Sequence, residues 1–107
     1  MTVIDIVLEE IYRILSPGGE IFLTLCSKES WAYKKKSYPH IDANTILKLK
    51  PGPEYGLEHY HTDLNDILLL FKMFEVIDIK HIHHCFYENS IQNSCHYHII
   101  AKKVLKV

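Results

Sequence analysis

The stretch ILSPGGEIFLTL, Ile14 to Leu25, sets the strongest constraint on what this chain can form. Before it, Thr2 stands as an N-cap and Asp5 places negative charge in a first helical turn. Val3, Ile4, Val7, Ile11, Ile14 and Leu15 recur at helical spacing, opposite a polar face of Asp5, Glu9, Glu10 and Arg13. Pro17 cannot continue that helix, because it has no amide donor and its ring collides with the preceding turn. Gly18 and Gly19 permit the left-handed turn beyond it. Ile21 to Cys26 then runs without alternation, the pattern of a strand buried on both faces of a parallel sheet. Such a strand needs helices above and below it, and 107 residues hold few of them.

The remaining elements do not close the gap. From Ser27 to about His61 the only regular stretches are TILKLK (Thr45 to Lys50) and Leu57 to His61. Together they read as a hairpin around Pro51-Gly52-Pro53. A connection this long inside a compact unit is more often functional than idle. Thr62 or Asp63 caps a second helix with a buried stripe of Leu64, Ile67, Leu68 and Phe71, and Leu70 at its margin. Phe74 to about Phe86 reads as a strand, YENSIQNS over 87–94 as a polar turn, and CHYHIIAKKV as the last strand. Strand, helix, strand from Glu20 to Phe86 implies a right-handed crossover between parallel strands, and the short link after it implies an antiparallel last pair. The expected fold is an α/β sheet with one reversed strand. Two helices of about four turns each cannot cover both its faces, so more chain or a partner must supply a layer.

Composition narrows the function classes. Apolar residues make up 48% and charged residues 23%, with a net charge of −1, which argues against a disordered tail and against bulk electrostatic attraction to nucleic acid or anionic membrane. The longest apolar runs, IFLTLC and ILLLF, are too short to span a bilayer. The N-terminus lacks the basic start and small-residue cleavage site of a secretory signal. Cys26, Cys85 and Cys95 are odd in number without CxxC spacing, so they are expected to be reduced thiols in the cytoplasm. KESWAYKKK, Lys28 to Lys36, mixes basic and aromatic residues, but at this net charge it reads as a solvated loop.

Three ordered segments carry a family resemblance. VLEEIYRILSPGGEIFLTL resembles the helix and fifth strand of class I S-adenosylmethionine-dependent methyltransferases, with Arg13, Leu15, Pro17, Gly18 and Gly19 in the family's Arg-x-Leu-x-Pro-Gly-Gly pattern. EYGLEHYHTDLNDILLLFKMFEVIDIKHI is similar to the later hairpin with G-x-x-H, the helix and the sixth strand, and HYHIIAKK to the closing seventh strand. The resemblance implies a Rossmann-like sheet in which the seventh strand runs antiparallel between the fifth and sixth. It implies that 1–107 is one unit, the C-terminal part of a methyltransferase domain whose cofactor-binding N-terminal half is absent from this sequence. There is no G-x-G pattern, so S-adenosylmethionine is expected to serve the full-length family and not to bind this chain alone.

Site candidates follow from position. Cys26, Ser27, Trp31 and Tyr33 lie in the loop after the apolar strand, at the carboxyl edge where open α/β folds bind ligands; the resemblance implies an acceptor-substrate wall there, and loop anchoring is the competing role. His59 and His61, in EHYH, are positioned to act as a general base toward an oxygen or nitrogen acceptor, or to bond a strand carbonyl. His81 and His83 share one strand face and His96 and His98 another; paired in register, the four would suit Zn²⁺ or Ni²⁺, and otherwise they form a His-rich solvent face. No nucleophile or triad is legible, which does not count against methyl transfer by direct displacement, where positioning dominates. Two functions stand: a methyltransferase fragment contributing the side of the site that meets a small-molecule acceptor, or a non-catalytic half-domain that dimerises or scaffolds another protein. An open edge beside a bare apolar face favours a homodimer where the missing half is not present.

Overall fold

In the computed structural model, which describes residues 3–35, 38–47, 56–86 and 89–104 (backbone alone at 85, 86 and 89–93), the Pro-Gly-Gly stop ties the two ends of the chain together. The first helix, α1 (Val3–Ile14), is followed by a turn in which Gly18 has φ +82°. The Gly18 N–H donates to Lys103 O at 2.7 Å, and the Lys103 N–H donates to Gly19 O at 2.9 Å. The turn feeds β1 (Glu20–Ser27), followed by the short helix α2 (Trp31–Lys34), β2 (Thr45–Leu47), β3 (Glu58–Thr62), α3 (Leu64–Leu70), β4 (Glu75–Phe86) and β5 (Asn89–Lys102).

The sheet order is β2-β3-β1-β5-β4. β5 runs antiparallel to both neighbours, so β1 and β4 are parallel to each other, as the crossover requires. β3 joins the other side of β1 in parallel, but only through Cys26↔His61 and Ser27↔Thr62. Among the described residues, Glu20 to Leu25 therefore pair with β5 alone.

α1 and α3 pack on one face of the sheet, α3 having seven residues and not the four turns expected. Leu8 of α1 and Ile67 and Phe71 of α3 meet Ile99 and Ala101 of β5, with Ile21, Leu23, Leu25, Val76, Ile79 and Tyr97 around them. The other face carries Phe22, which is 59% exposed and meets the His98 ring edge-on at 5.6 Å. A two-sided burial of Ile21 to Cys26 is thus corrected to one-sided burial, with exposure alternating along β1. The helix stripes change too. In α1 burial centres on Leu8, while Val3, Val7 and Ile14 are exposed; in α3, Leu64 and Leu68 are exposed. A helix lying on one sheet buries one narrow line of side chains, and the flanking apolar positions need a further layer that the described residues do not supply.

The hairpin is longer than its composition suggests. Asn89 to Ser94, expected as turn, continue β5 and pair with β4, with His84↔Ser94 and Phe86↔Asn89 in register. Polar residues can continue a ladder because the backbone bonds do not depend on side-chain apolarity. The expected Thr2 cap, the strand end at Lys48 to Lys50 and the Pro51-Gly52-Pro53 turn lie outside the described residues.

Gly19 owes its place to space. An added Cβ would stand 2.8 Å from the Ser16 carbonyl oxygen, whereas Gly18 has open space and a positive φ. Gly19→Val is therefore expected to cost about 1–3 kcal/mol through collision with backbone. Chemical denaturation checks it: an unchanged midpoint would mean the turn relaxes freely.

Candidate functional site

The carboxyl end of β1 is held by three chain segments. The Thr62 hydroxyl donates to Cys26 O at 3.0 Å, and the Lys28 N–H donates to Thr62 O at 2.8 Å. Spending Thr62 on β1 leaves Asp63 as the N-cap of α3. Its carboxylate accepts from the Asp66 N–H at 2.8 Å, and Asp66 returns the favour by accepting from the Asp63 N–H at 2.9 Å, a capping box with Asp in the usual Glu position.

Asp66 also anchors the loop. Its carboxylate lies 3.0 Å from the Lys28 ammonium and accepts from the Asn44 side-chain amide at 2.9 Å; that same amide donates to His61 O at 2.9 Å. Burial works against the Asp66 carboxylate, but the Asp63 N–H, Lys28 and Asn44 outweigh it and hold its pKa below the ordinary value. Lys28 moves the opposite way: burial opposes its charge, and the hydrogen bond and charge of Asp66, with Asp63, still raise its pKa. Sequence reasoning missed Lys28, Asn44 and Asp66. The D-x-x-D spacing at Asp63 carried the only signal, as a variant capping box.

On this frame Tyr33 and His61 come together. Their rings stand 5.5 Å apart, His40 lies 4.7 Å from Tyr33 on another side, and the Tyr33 hydroxyl donates to Ala43 O at 2.6 Å. His61 is 3% exposed, with Nδ1 at 3.1 Å from His59 O. His59 is half-buried, its Nδ1 at 3.1 Å from Leu57 O. Trp31 turns elsewhere, edge-on to the buried Tyr38 at 6.1 Å, with the Lys35 ammonium 4.7 Å from both rings. Of the expected substrate-side residues, Cys26, Tyr33 and His61 gather at the end of β1, Ser27 turns to the opposite face and meets His81 Nε2 at 2.9 Å, and Trp31 packs against the loop.

The four histidines expected to converge are split. β4 and β5 pair as Lys80↔His98, His81↔Tyr97, Ile82↔His96 and His83↔Cys95. His81 and His83 therefore share the face of Tyr97 and Cys95, and His96 and His98 share the opposite face with Phe22. The cause is a bulge: Val76 pairs with Ala101 and Asp78 with Ile100, so Ile77 is an extra residue. Without it, His81 would face His96. On the Phe22 face, burial and then the charges of His84 and His98 push the His96 pKa down.

A cleft of about 440 Å³ lies between α1 and α3, lined by Asp5, Leu8, Glu9, Tyr60, Asp66 and Met73 among others, with neither Tyr33 nor His61 in its wall. No described helix is long and apolar enough to cross a membrane.

No protein-family model matches the sequence, and no curated protein matches it. Among solved structures, a SAM-dependent methyltransferase from Methanosarcina mazei is similar in fold, with a TM-score of 0.71 at 16% sequence identity. The alignment covers 96% of this chain and 52% of that one, so the chain spans about half the length of the protein it resembles. At that identity the likeness concerns architecture: a mixed α/β unit with a five-stranded sheet, matching part of a Rossmann-like methyltransferase fold.

Asp66 makes acid stability the test of the frame. Its folded pKa lies below its ordinary value of 3.8, so its contribution is fully present above that pH and is lost as pH falls through the folded pKa. Asp66→Asn is expected to lower stability at neutral pH by about 1 kcal/mol and to flatten the acid limb of the stability profile. Thermal melts from neutral to strongly acid pH would show it; parallel profiles for both proteins would remove Asp66 from its anchoring role.

Proposed function

We propose that this chain, which has the fold of part of a class I methyltransferase domain, forms the acceptor side of a methyl-transfer site. The observation that carries the reading is the gathering of Tyr33 and His61 beside Cys26 at the carboxyl end of β1, the edge where open α/β sheets meet their ligands. In this reading Tyr33 and His61 make an aromatic wall for a small acceptor, and the Lys28–Asp66–Asn44 network fixes that wall. An imidazole of the EHYH strand takes the proton released when an oxygen or nitrogen acceptor is methylated. A cytoplasmic location belongs to the same proposal and rests on the cysteine spacing.

S-adenosylmethionine is the methyl donor such a fold implies, and the described residues do not fit it. The Gly18-Gly19 turn leads from helix to strand, and its amide is already given to Lys103 O. The carboxylates beside the β1 end, Asp63 and Asp66, are occupied by Lys28 and by the α3 cap. The donor then belongs to a segment or chain outside these residues. Calorimetry is expected to show no micromolar binding of S-adenosylmethionine to this chain alone; micromolar affinity would overturn this division of the site. NMR titration with small aromatic hydroxyl and amine compounds is expected to move resonances at Lys28, Tyr33 and His61. Shifts confined to the α1–α3 cleft would sink the acceptor-side reading.

A second reading, a dimerising half-domain, is favoured by β1 itself. Among the described residues its Glu20 to Leu25 edge pairs on one side only, and Phe22 stands exposed on the face opposite α1 and α3. Burying a few hundred Å² there is worth several kcal/mol at ~25 cal/mol/Å², before association costs. Light scattering at micromolar concentration is expected to report a homodimer, and Phe22→Asp to shift it to monomer. A monomer with wild-type Phe22 would rule this reading out.

A further inference from the structure

The face onto which the Ile77 bulge turns His81 and His83 holds a third metal-binding side chain. We propose that His81, His83 and Cys95 form a binding site for a divalent cation of zinc type, independent of the acceptor-side reading. The three residues offer donor atoms that all lie within 4.8 Å of one another. The Cys95 Sγ is 3.3 Å from His83 Nδ1, against about 3.5 Å expected between sulfur and nitrogen ligands of a tetrahedral zinc. The imidazole rings of His81 and His83 are 4.9 Å apart. Cys95 is 0% exposed and fixed, so the remaining closure to ligand spacing falls to small adjustments of the His81 and His83 rings.

The surroundings hold these donors in place. The Ser30 hydroxyl donates to Cys95 O and accepts from the Cys95 N–H, both at 2.9 Å, which pins the cysteine backbone where β1 has ended. His81 stacks on Tyr97 at 4.4 Å, and its Nε2 lies 2.9 Å from the buried Ser27 Oγ. A hydroxyl that accepts one imidazole N–H leaves the other nitrogen for a metal, the arrangement by which outer partners orient ligating histidines. Thiolate with two imidazoles suits a borderline-soft ion over magnesium or calcium. On binding, the Cys95 thiol gives its proton to solvent, both histidines bind neutral, and a fourth position stays open to water or an exogenous ligand.

Cobalt(II) serves as the spectroscopic probe and zinc(II) as the competitor on the intact chain near neutral pH. One Co²⁺ per chain is expected, with tetrahedral d–d bands and a thiolate-to-cobalt charge-transfer band, both abolished by equimolar zinc. Cys95→Ser is expected to remove the charge-transfer band. His81→Gln and His83→Gln, at exposed positions where the fold tolerates change, are expected to weaken zinc binding by about tenfold or more, and Ser27→Ala by about tenfold. His96→Gln and His98→Gln should leave it unchanged, and metal-free melts confirm that each variant is folded. A charge-transfer band that survives Cys95→Ser, an octahedral spectrum without that band, or loss of binding in the His96 and His98 variants instead would overturn the site.

Discussion

The central interaction is the insertion of β5 between β1 and β4. Seven consecutive pairs, from Glu20↔Lys102 to Cys26↔His96, lock β5 to β1, and a second ladder locks it to β4. The face it presents, Tyr97, Ile99 and Ala101, is the floor on which Leu8, Ile67 and Phe71 pack. The Gly18–Lys103 bonds then fasten the helix-stop turn to the end of this strand. Helix, turn and sheet thus depend on a strand that comes last in sequence, so the core forms through contacts distant along the chain, the slow kind of folding.

Among the described residues, the helices cover one face of the sheet, and the opposite face is covered only toward the carboxyl end of β1, where Tyr33 lies over the buried His61. Large apolar side chains such as Ile6, Val7, Leu68, Leu69 and Phe22 remain in solvent on the outer helix surfaces and on the bare side of β1. Single exposed apolar residues are ordinary, but this distribution follows elements rather than scattering. It fits a chain that spans about half the length of the protein it resembles in fold.

At that edge, polar chemistry substitutes for missing strand. β3 gives β1 only two paired residues, and Thr62, Lys28, Asn44 and Asp66 supply the remaining attachment through side chains. Ser30 does the same for β5 where β1 ends. A frame of part-buried, mutually satisfied hydrogen bonds is rigid but exacting, since losing one partner strands the others. Tyr33 and His61 rest on it, through the Lys28 ammonium over the Tyr33 ring and the Asn44 amide on His61 O.

Much of this was legible in the chain. Pro17, Gly18 and Gly19 determined the helix stop, the run from Ile21 marked a central strand, and the order of three segments indicated the parallel pair with a reversed strand between. The first two signals are local, arising from backbone chemistry and short-range hydrophobic pattern, and the third is what the family resemblance implies. Which helix residues are buried was not local: Leu8 is inside and Val7 is outside because only one sheet face receives α1. Nor was the grouping of the histidines. Period-two alternation places His81 with His83 and His96 with His98, but whether the pairs meet depends on one residue, Ile77, bulging from the ladder. A bulge is selected by how Val76 and Ile79 both reach the helix-covered face, and that face exists only after β5, α1 and α3 have packed. Sequence alone therefore determined which side chains β4 and β5 carry, and the tertiary structure decided that His81 and His83 stand with Cys95.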